Sequence, residues 1–152
     1  MKNILIIVSA LIGIVCINAA LAADEKLHDA SHHKMSATDM RTSLNLSDEM
    51  KQHQLSNMRE HVKAIKNIVD LMAENRFEEA SEVAHAKLGL TPEMEAMCDM
   101  FDNKDFRKLG RSFHRSGDVL GDALQTRDVK ASLQALNKTM QYCVDCHAAF
   151  RQ

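Results

Sequence analysis

Residues 128–152, DVKASLQALNKTMQYCVDCHAAFRQ, decide how this chain folds. Val129, Leu133, Leu136, Met140, Cys143, His147 and Phe150 recur at spacings of three and four, which places them on one face of an α-helix. The stripe continues for about six turns without a break. It predicts a long C-terminal helix that starts near Asp128.

Upstream of it the same period repeats. Phe106, Leu109, Phe113, Leu120 and Leu124 predict a long helix from about Lys104 to Gln125. Gly110, Gly117 and Gly121 each weaken that helix by roughly 1 kcal/mol relative to Ala. Small residues at this spacing mark a close approach, either of another helix or of a flat ligand. Before Asp102-Asn103, Thr91-Pro92 opens a short Met-rich segment, with Pro92 at the first helical position and Glu93 and Glu95 in the first turn. Phe77, Ala80, Val83, Ala84 and Leu88 line a helix from about Phe77 to Leu88, with Gly89 as its C-terminal cap.

The earliest helix runs from an N-cap at Ser47 to near Asn75, with Asp48 and Glu49 at the positive end of its dipole. Its stripe is Leu55, Met58, Val62, Ile65, Val69 and Met72. No segment makes a strand candidate of any strength, and proline occurs once. Four long helices with short connections predict an all-α fold, an antiparallel up-down-up-down four-helix bundle over residues 47–152.

What precedes the bundle has a different character. Lys2, the apolar run from Ile4 to Ile17 and the small residues Ala20-Leu21-Ala22 read as a secretory signal peptide over residues 1–22. The run is shorter than the about 20 residues a bilayer span needs, so the mature chain is expected to carry no transmembrane segment. Residues 23–46 show no apolar period and read as a flexible leader. Its His28, His32, His33, Met35 and Met40 offer the alternative of a copper- or nickel-type site.

Cleavage removes Lys2 and no acidic residue, so the 19 Lys and Arg fall by one against 21 Asp and Glu. A mildly acidic chain of this kind is expected to bind no nucleic acid, which would call for a basic surface. Of four cysteines, Cys16 lies in the signal, leaving Cys98, Cys143 and Cys146. An odd number in an exported chain directs attention to a fate other than disulfide pairing.

Cys143-Val144-Asp145-Cys146-His147 is a CxxCH sequence, the attachment pattern of c-type haem. Two thiols three residues apart can add across the two vinyl groups of one porphyrin, and the next imidazole is then delivered to the iron. Competing readings are a redox CxxC, which belongs at a strand–helix junction, a zinc site, which needs four ligands, and a structural thiol pair beside a chance histidine. Export favours haem.

A single CxxCH at the end of a four-helix chain, followed by Ala148-Ala149-Phe150-Arg151, resembles the class II c-type cytochromes, the cytochrome c-prime superfamily, whose usual ending is CxxCHxx[YF]R. The resemblance covers about Leu46 to Gln152. It implies one covalently bound haem c per chain, attached through Cys143 and Cys146, with His147 as the proximal iron ligand on the last helix. Arg151 is then near the haem's proximal edge and its propionates, or is a solvated helix-end arginine. Related bundles often pair through their first two helices, so the resemblance also admits a homodimer.

The opposite face of the iron decides the function, because a Met ligand favours electron transfer and an open face binds gases. In an up-down-up-down bundle the start of the first helix lies beside the end of the last, and Met58 is on the first helix's stripe in that half. Asn57-Met58-Arg59-Glu60 also resembles the first helix of Met/His-ligated relatives. The bland reading makes Met58 core filler. His53 and His61 sit beside the stripe, and Met94, Met97 and Met100 lie in a connection. The expectation is a periplasmic one-electron carrier with His/Met-ligated iron, not an enzyme, that meets redox partner proteins. The alternative is a five-coordinate haem protein that binds NO or CO. Cys98 is open to two fates, a buried thiol or an intermolecular disulfide.

Overall fold

Each long helix but one begins at a polar residue that takes up an otherwise unpartnered amide of the first turn. The computed structural model describes residues 38–152, and its helices are α1 (Asp48–Ala73), α2 (Phe77–Leu88), α3 (Pro92–Asp99), α4 (Lys104–Gln125) and α5 (Val129–Ala149). Ser47 Oγ accepts from Met50 N at 3.2 Å, Asn103 Oδ1 from Phe106 N at 3.0 Å and Asp128 Oδ1 from Ala131 N at 3.1 Å. Thr91 does the same for short α3, whose Pro92 stands in the first turn. α2 lacks a side-chain cap and starts behind Arg76. The signal peptide and residues 23–37 of the leader lie outside the described residues.

The four long helices pack as an antiparallel bundle, with α2 against α1 and α4, and α4 against α5. Ile68, Leu88, Leu120 and Leu124 are fully buried at its centre, with Phe77, Phe113 and Leu136 around them. Removing such side chains from water is the dominant favourable contribution to the fold. Serine and threonine hydroxyls tie adjacent helices: Ser81 Oγ donates to Gly121 O at 2.8 Å and Thr139 Oγ1 to Ser116 O at 3.1 Å.

The glycines of α4 answer the choice between a helix and a flat ligand. A methyl group at Gly117 would overlap the Leu88 carbonyl, and one at Gly121 would overlap the His85 ring. Both neighbours belong to α2, so what comes close is another helix. Gly89 does cap α2, but at φ −68° and ψ 164° rather than in the left-handed conformation. Space is what its position demands, since a Cβ there would run into the Asp118 carboxylate and the His85 carbonyl.

Three expectations need correction. Phe150, assigned to the helical stripe, has left the helix: with Arg151 it forms β2 (Phe150–Arg151), a parallel partner of β1 (Thr42–Ser43). These two-residue strands are too short to leave a period in the sequence, and β1 lies within the segment read as a leader. The stripe of α1 is also rotated. Gln54, Ala64 and Ile68 are its buried residues, whereas Val62 is 67% exposed and Val69 46%. On α5 the inward residues are Ser132, Leu136 and Thr139, and Val129, Leu133 and Met140 of the expected stripe are 52%, 51% and 45% exposed. The reason is the same in both helices. α1 rests on α2 and α5 on α4, while α1 and α5 share no comparable backbone contact, so the apolar residues beyond the packed sides stay uncovered.

Candidate functional site

Cys143, Cys146 and His147 occupy the last two turns of α5. The α4-facing side of that helix draws Cys143 against the core, and Cys143 Sγ lies 4.0 Å from Thr139 O. Both cysteines are partly buried free thiols. Burial pushes the Cys143 thiol up, and burial together with neighbouring Cys143 and Asp145 pushes the Cys146 thiol up to about 11. Both sulfurs therefore keep their protons at neutral pH. That is the reverse of a redox CxxC, whose attacking sulfur is activated by a depressed pKa.

His147 is exposed, although the sequence had placed it on a core stripe beside Cys143 and Phe150. Among the described residues no group of three or more His, Cys, Asp or Glu is arranged to hold a metal ion, so none of them completes a four-ligand zinc site. Cys98 is buried in α3, its sulfur 3.3 Å from where a Cβ on Gly110 would be, and burial raises its pKa. Its burial fits the first of the two fates open to it.

The chain end beyond His147 is held from two directions. Phe150 N–H donates back to Cys146 O, closing the last turn. The Phe150 ring meets Phe106 edge-on with centroids 5.3 Å apart, and Phe106 meets Phe101 at 4.7 Å. From the N-terminal side, Leu44 N–H donates to Arg151 O at 3.0 Å and Arg41 Nη1 donates to His147 O at 3.3 Å. Arg41 carried no signal in the sequence, since its partner is 106 residues away. Arg151 is exposed, with its main chain in β2.

The donor set and its surroundings fit a haem. Two protonated thiols stand three residues apart beside an exposed imidazole, and Leu133, Met140 and Val144 extend an uncovered apolar surface along the same helix. A flat apolar macrocycle would cover such a surface, which a monomeric protein otherwise leaves in contact with water.

Met58 is partly buried on α1. The helices carrying Met58 and His147 share no comparable backbone contact. Next to Met58, Asn57 Nδ2 donates to Met97 Sδ at 2.9 Å, which ties α1 to α3 and occupies the Met97 thioether. His61, expected beside the α1 stripe, packs against α4: its ring lies 4.8 Å from Phe113 and 5.5 Å from His114. Of the residues proposed for the leader's metal site, Met40 is exposed and His28, His32, His33 and Met35 lie outside the described residues. No described helix is long and apolar enough to cross a membrane.

A family model described as Cytochrome C' matches residues 22–151. The comparisons with curated proteins and with solved structures return no match.

Proposed function

The chain belongs to the Cytochrome C' family, and on that footing we propose that it is an exported, periplasmic cytochrome with one haem c, a carrier of single electrons and not an enzyme. The observation that supports this reading most is the pair of free thiols three residues apart, beside an exposed imidazole and next to an uncovered apolar surface of α5. Haem supplies a one-electron iron couple when bound.

Cys143 and Cys146 would each add their S–H across a vinyl group, leaving two thioethers that fix the macrocycle to α5. His147 would offer its imidazole on the proximal side, and Arg151 a positive charge toward the propionates. Met58 would close the distal side with its thioether and raise the potential relative to harder ligands. Redox proteins would be the partners, and Val62 and Val69, exposed on α1, support pairing of two copies through the first two helices.

A second reading is a five-coordinate haem that binds NO or CO, in which Met58 stays a partly buried side chain of α1. Absorption spectra of the reduced protein separate the two. The carrier gives sharp low-spin bands that carbon monoxide leaves unaltered and that Met58→Ala abolishes. High-spin bands that shift readily with carbon monoxide overturn it.

A further inference from the structure

We propose that the segment Arg41–Leu44 is a strap that fixes the last turn of α5, with Arg41 as a positioning residue for His147. The last four carbonyls of a helix have no partner within the helix, and helix ends fray when nothing replaces those bonds. α5 ends at Ala149. The His147 carbonyl is one of these orphans, and its natural continuation, the amide of residue 151, lies in β2 instead. Arg41 fills the vacancy with a charged donor at 3.3 Å.

Three further contacts hold the two residues that follow that turn, Phe150 and Arg151. β1 pairs with β2 in the register Thr42 with Phe150 and Ser43 with Arg151. Leu44 N–H extends the ladder to Arg151 O. On the other side Phe150 is set against Phe106. The strap is itself anchored close by, since Ser47 caps α1 three residues after Leu44. A short N-terminal segment therefore binds the backbone of the residue expected to hold iron, while Cys143, four residues earlier, is fixed by the core. The backbone on both sides of the imidazole is thus held, which fixes the direction in which the side chain leaves the helix.

This inference rests on the haem reading for its consequence but not for the strap itself, and the test has one arm for each. Full-length matured protein is compared as wild type, Arg41→Ala and Arg41→Lys. Amide hydrogen exchange at Cys146 to Ala149 should quicken about threefold to tenfold in Arg41→Ala, with the amides of α2 and α4 unchanged, and return most of the way in Arg41→Lys. The ferric electron paramagnetic resonance spectrum should change from one species to a spread of g values in Arg41→Ala, as the imidazole samples several orientations, and stay single in Arg41→Lys. Unchanged exchange in Arg41→Ala overturns the strap. Faster exchange with an unaltered resonance spectrum overturns the positioning role. A matured chain that carries no haem gives no resonance signal in any variant, which marks the failure of the haem reading, while the exchange arm still decides on the strap.

Discussion

His114 on α4 reaches the Leu88 carbonyl of α2 through its Nδ1 at 2.9 Å. A carbonyl only accepts, so Nδ1 carries the proton. The same ring stands edge-on to Phe113 and near-perpendicular to His61 of α1, so three helices meet at two imidazoles, one buried and one partly buried.

The meeting of buried His114 with partly buried His61 makes the bundle sensitive to acid. Burial, and then the neighbouring His114, hold the His61 pKa down at about 4 instead of 6.5, and burial lowers that of His114. The unfolded chain therefore binds more protons than the folded one between pH 6.5 and 4, and stability falls as pH drops through that window. Between pH 7 and pH 5 the His61 contribution should cost up to about 2 kcal/mol, the ring being partly exposed. Urea unfolding across that range should show the loss, and His61→Phe should flatten the slope. An unchanged slope would show that His61 does not titrate on unfolding.

The α2–α4 seam predicts opposite outcomes for two similar substitutions. In Gly117→Ala the new methyl meets the Leu88 backbone, which cannot give way. Despite the roughly 1 kcal/mol that Ala gains over Gly in a helix, the variant should lose about 1–3 kcal/mol. In Gly110→Ala the neighbour is the Cys98 sulfur at 3.3 Å, and the net change should stay within about 1 kcal/mol. Urea midpoints at constant slope measure both.

Met58→Ala bears on the distal side. If Met58 holds iron, a redox titration should place the midpoint potential of the variant lower by on the order of 0.1 V, well inside the roughly 0.8 V that axial ligands command. An unaltered potential would make Met58 a core residue of α1 and favour the gas-binding reading.

Features that depend on a few consecutive residues were legible before the fold was known. Ser47 was readable as a cap, and helix starts near Thr91, Lys104 and Asp128 were readable too, because a cap needs only its own side chain and an amide three residues on. The CxxCH pattern is contiguous as well. Apolar periodicity, in contrast, marks a face without naming the neighbour that covers it. Val62, Leu133 and Met140 therefore read as core and are exposed, whereas Gln54 and His61, polar and off the stripe, turn inward on α1. The strap was illegible for a different reason, since two residues make no period and Arg41 finds its acceptor only after the whole bundle has closed.

Mass spectrometry of the chain, produced in a host able to mature cytochromes and cut with a protease, tests the central claim most directly. The fragment spanning Cys143 and Cys146 should carry the added mass of one haem, retained after acid–acetone extraction, and lose it in the Cys143→Ser, Cys146→Ser double variant. A fragment bearing only free or mutually oxidised thiols would contradict the account.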